Sequence, residues 1–140
     1  MIKQQILAAA IYPLIVFPLA LVWHLGLFKN QYMTFGYFEG EPNIGIGLAS
    51  MVIQGAVLAL IYPMFRAGRA GFGRAITFAG LLGLFFWTSH VLALVAKQNV
   101  PQAGTYVLME TVYLCLQFGL FAVALGFIFR GAGRTSVTPA

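Results

Sequence analysis

Charge is what this chain has least of. Only 8% of its 140 residues are charged, and just three are acidic, whereas a soluble domain carries about a quarter. That scarcity excludes an ordinary water-solvated surface. Cysteine is nearly absent: Cys115 stands alone, so no intrachain disulfide framework exists, and it is expected to be a small buried apolar side chain. Long polar stretches are missing as well. The longest between apolar runs, residues 29–45, is too short to fold by itself. The formal net charge is +5, but the basic residues sit at the ends of apolar runs rather than on one face, which excludes a nucleic-acid surface.

Apolar sequence is what the chain has in quantity, at 61% hydrophobic residues. It is gathered into residues 6–28, 46–65, 76–96 and 106–129. Each run holds about 20 residues or slightly more, enough at ~1.5 Å rise to cross a ~30 Å hydrocarbon core. The fold class that follows is an all-α membrane protein of four transmembrane helices in an antiparallel bundle. Residues 1–134 form one transmembrane domain, and residues 135–140 are expected to be a disordered cytoplasmic tail. The first run outlasts the 7–15 residues of a signal-peptide core and is expected to be a retained helix.

Basic residues orient the bundle. Lys3, Arg66, Arg69, Arg74, Arg130 and Arg134 fall on one side, against Lys29 and Lys97 on the other. This bias predicts cytoplasmic termini, a cytoplasmic middle loop and residence in a bacterial cytoplasmic (inner) membrane. The chain also reads as two pseudo-repeated helical hairpins. His24 and His90, Trp23 and Trp87, Gln54 and Gln117, and Phe65 and Phe129 are separated by 63 to 66 residues. Copies of two spans each share one orientation, so the expected axis is a pseudo-twofold along the membrane normal.

The few polar residues within the spans gather toward the outer side. His24 lies ~7 Å below the outer boundary, His90 ~10 Å and Glu110 ~8 Å. Gln54 and Gln117 lie deeper. Helical spacing puts Glu110, Tyr113 and Gln117 on one face of the fourth run, and Ser50 and Gln54 on one face of the second. Polar side chains in a bilayer turn toward protein or water. The expectation is one cluster of His24, Ser50, Gln54, His90, Glu110, Tyr113 and Gln117, flanked by Trp23 and Trp87. Glu110 is its centre, because an ionised carboxylate there needs a partner, and a histidine is the natural one.

Four functions fit such a cluster. The leading one is a non-catalytic subunit or interaction partner of a larger membrane assembly. Almost nothing projects from the membrane, and glycine-rich faces favour helix packing against a partner protein or a second copy. A proton-linked transporter or channel would use Glu110 and the histidines, although the inner half offers mainly Tyr12, Tyr62 and Thr77. A haem or a transition metal would take His24, His90 and Glu110 as ligands, without an HxxxH or ExxH spacing to support it. A lipid-modifying enzyme would use Glu110 and a histidine as acid and base, without a nucleophile motif. Catalysis is therefore not the expected role.

Overall fold

Four long helices carry the structure: Ile2–Leu27, Ile44–Phe65, Phe72–Lys97 and Ala103–Ile128, each long and apolar enough to cross a membrane. They are called spans one to four. The computed structural model describes residues 2–38, 40–66 and 71–130, and among these all regular structure is helical. The spans begin a few residues earlier than the apolar runs alone predict. The expected tail, residues 135–140, lies outside the described residues.

Two cores hold the spans together. The first joins all four, through Tyr12 and Val16 of span one, Leu58 and Tyr62 of span two, Phe78 of span three, and Phe121 and Leu125 of span four. The second is built differently. Ala79 and Val91 of span three meet Tyr106, Tyr113, Leu114 and Phe118 of span four, but span two supplies nothing. Its place is taken by Tyr32 and Phe35 from the first loop, with Trp23 of span one packed alongside. At that end the bundle is three helices and a folded loop. The first part of span two, from Ile44 to Ile53, is mostly exposed, which costs nothing where the surroundings are acyl chains.

Close helix contact rests on glycine at two places. A Cβ on Gly55 of span two would stand 2.5 Å from the Ala9 carbonyl oxygen of span one. A Cβ on Gly126 of span four would collide with the Phe72 ring of span three.

Spans one and three each change pitch near the same end. Leu21–Leu27 and Trp87–Leu92 are π-helical, with one extra residue per turn. In span one this follows Pro18, whose ring removes a donor from the helical ladder. In span three the Thr88 and Ser89 hydroxyls donate to the Phe85 carbonyl at 2.9 and 2.8 Å, competing with the backbone for that acceptor.

Candidate functional site

The first loop makes the site. Phe28, Tyr32 and Phe35 are spaced by four and three, so they share one face of the short helix Lys29–Thr34 and its continuation. That face folds back over the bundle. Tyr32 and Phe35 become buried, and Tyr37 and Phe38 pack against the same core. The loop is a roof of aromatic rings over the ends of spans one and four.

Beneath the roof sits Glu110, 1% exposed. Two side chains reach its Oε1: the Tyr32 hydroxyl donates at 2.6 Å, and His24 Nε2 lies at 3.1 Å. Trp23 Nε1 in turn donates to the Tyr32 hydroxyl at 2.8 Å. The other histidine nitrogen, Nδ1, lies 3.1 Å from the Ala20 carbonyl. A carbonyl only accepts, so Nδ1 carries a proton. The Nε2–Oε1 contact then needs one more proton, shared between imidazole and carboxyl. The pair is either imidazolium with carboxylate or two neutral partners.

Aromatic rings surround the imidazole. The His24 ring lies 4.6 Å from the Tyr32 ring, 4.6 Å edge-on to Tyr113 and 5.7 Å in a stacked arrangement from Tyr37. Aromatic rings within about 6 Å attract a cation. In the roof, burial and then the Glu110 charge raise the Tyr37 phenol above its ordinary pKa. Burial raises Tyr32 as well, and its bond to Glu110 adds to the effect. Both stay protonated, which lets Tyr32 donate.

A second polar group lies in the first core. Gln117 Nε2 donates to the Tyr12 hydroxyl at 2.9 Å, and that hydroxyl donates to Gln54 Oε1 at 3.0 Å. One tyrosine thus ties spans one, two and four together.

The residues singled out in the sequence therefore do not form one cluster. His24, Glu110 and Tyr113 come together, with Trp23 one bond away. Gln54 and Gln117 meet on Tyr12 instead. Ser50 is exposed and donates to its own helix, to the Gly47 carbonyl at 2.8 Å. Trp87 donates to Thr111 at 2.9 Å, bracing span three on span four. His90 is exposed, and its ring contact is with Phe86 at 5.7 Å. Span two's absence from the second core explains the departures of Ser50 and His90: no ring of four inward faces exists there. Cys115 is exposed rather than buried.

These positions do not bring His24, His90 and Glu110 together as one ligand set. Both nitrogens of His24 are engaged and His90 stands apart. Among the described residues no group of three or more His, Cys, Asp or Glu is placed to hold a metal ion. Two contributors were not read from the sequence, Tyr32 as a donor to Glu110 and Tyr12 as a bridge. The helical spacing of Phe28, Tyr32 and Phe35 was the available signal for the first. Nothing local marks the second. Comparison with protein families, with curated proteins and with solved structures finds no match to this chain.

Proposed function

We propose that this protein is a non-catalytic subunit of a larger membrane assembly, held in a bacterial inner membrane with both termini on the cytoplasmic side. One observation carries the reading: the carboxyl, imidazole and amide side chains of the two cores, Glu110, His24, Gln54 and Gln117, are engaged with one another or with tyrosine hydroxyls. His24 and Tyr32 close on Glu110 with Trp23 donating to the Tyr32 hydroxyl, and Gln54 and Gln117 close on Tyr12. Such bonds join helices in lipid. The large exposed faces are apolar, with Leu14, Met64, Phe85 and Leu108 all more than half exposed, and the one long loop lies down on the bundle. Such faces fit association within the bilayer.

The architecture behind this role is two copies of a two-span hairpin. Gly55, Leu58, Ala59 and Tyr62 of span two are buried, and so are Phe118, Phe121, Ala122 and Leu125, each 63 residues on. The two π-helical segments begin 66 residues apart. Each hairpin also carries an apolar groove, about 600 and 580 Å³ in volume. Val52 and Ala56 line the first; Cys115 and Gly119, 63 residues on, line the second.

The test is extraction from the parent membrane in polymer nanodiscs, followed by native mass spectrometry. The expected particle contains this 15.2 kDa chain and a different membrane protein in fixed ratio. A uniform population of single chains would sink the proposal. A second reading, a proton-linked role, is favoured by the one shared proton of His24 and Glu110. It requires that Glu110→Gln fold normally and abolish proton-coupled uptake into proteoliposomes.

A further inference from the structure

The two histidines of the spans occupy matching places with opposite outcomes. Each lies in a π-helical segment four residues or fewer after its start. His24 reaches a carboxylate on span four. The position on span two that corresponds to Glu110, 63 residues earlier, is Gly47, which has no side chain to offer. Span two supplies nothing to the core beside that end of span three. His90 is thus left exposed, ~10 Å along its span from the end at Lys97. An imidazole is poorly solvated by acyl chains, and intramembrane ionisable residues characteristically pair.

We infer that His90 is the docking point for a partner's transmembrane helix carrying a carboxylate at matching depth. The inference rests on the assembly reading above and names the chemistry of the partner. The template is internal, since this chain answers its other intramembrane histidine with a glutamate. Charge supports the same choice. The neighbouring ionisable group on span three is Lys97, also basic, and the hydroxyls of Thr88 and Ser89 beside His90 are engaged with the Phe85 carbonyl. Phe86 is the aromatic ring against it. A second copy of this chain does not fit. The one carboxylate inside its spans, Glu110, is buried under the roof, and Glu39 and Glu41 belong to the loop outside the spans.

The probe is a synthetic Leu/Ala transmembrane helix with one glutamate at the depth of His90, fluorescently labelled. It is compared with an all-apolar version against the full chain in phosphatidylcholine bilayers. The glutamate helix should bind the wild-type chain at least tenfold more tightly than the apolar helix. His90→Leu should erase the difference, and His90→Lys should retain it. Thermal melting of each variant verifies that the exposed substitution leaves the fold intact. Equal binding of both helices overturns the inference, as does equal binding to wild type and His90→Leu. Self-association that disappears in His90→Leu without any helix added overturns it in favour of a second copy. A shift of the His90 ¹⁵N resonance on adding phosphatidylglycerol, with none on adding the glutamate helix, overturns it in favour of a lipid phosphate. A native complex that persists in His90→Leu would reject this docking point while leaving the assembly reading in place.

Discussion

Glu110 takes two bonds on a single oxygen, so its neighbours differ in what they lose when it changes. Glu110→Leu strands the Tyr32 hydroxyl and the His24 imidazole together, and each buried polar group left unsatisfied costs about 1–3 kcal/mol. Glu110→Gln keeps an acceptor for Tyr32 and is expected to cost clearly less. Tyr32→Phe removes one buried hydrogen bond and should cost about 1–1.5 kcal/mol, within the range for buried hydrogen bonds and for polar contacts in lipid. Reversible denaturant unfolding in bicelles ranks all three. The roof tyrosines add a pH dependence. Their folded pKa values lie above the ordinary 10.0, so the folded state holds these protons more tightly than the unfolded one. Their contribution is complete below pH 10.0 and is lost as pH rises beyond it. Melting temperature should fall on the alkaline side, and less steeply in Tyr37→Phe. At this scale the sequence was informative where physics is local. A lone acid in a span requires a partner, so Glu110 with a histidine followed directly. Which histidine did not follow, because it depends on whether a neighbouring span packs alongside.

Glycine decides how closely spans one and two approach. Gly55→Ala places a methyl group against the Ala9 carbonyl and the Pro13 ring, and overpacking of this kind costs about 1–3 kcal/mol. Gly80→Ala is the control, because nothing lies within 4 Å of its added Cβ. Unfolding measured side by side should separate the two. The four spans themselves were legible from apolar run length, since the bilayer sets that length. The π-helical turns were not. Pro18 marks a disturbance of span one but does not fix its form, and in span three the cause is a pair of ordinary hydroxyl residues. The double change Thr88→Val with Ser89→Ala is expected to restore regular α pitch over Trp87–Leu92, visible as a change in amide hydrogen-exchange pattern.

At the scale of the whole molecule, one core joins all four spans and the other joins spans one, three and four with the first loop. Spin labels at Leu48→Cys and Ile53→Cys should show high oxygen accessibility, as expected of side chains in contact with lipid. Labels at Leu58→Cys and Ala59→Cys, within the four-helix core, should show low accessibility. Helical spacing put polar residues of spans one, two and four on inward faces, and for Gln54 and Gln117 the inward neighbour is Tyr12. It gave no sign that span two leaves the bundle toward one end, because an apolar helix surface reads the same against protein as against lipid.

The distance along the chain between His24 and Glu110, 86 residues, governs how the protein is made. At 5–20 residues per second, span one waits on the order of ten seconds in the membrane before the fourth helix is synthesised. Throughout that interval His24 has no carboxylate on its own spans to meet. The tie between spans one and four therefore forms only after the fourth span has been made.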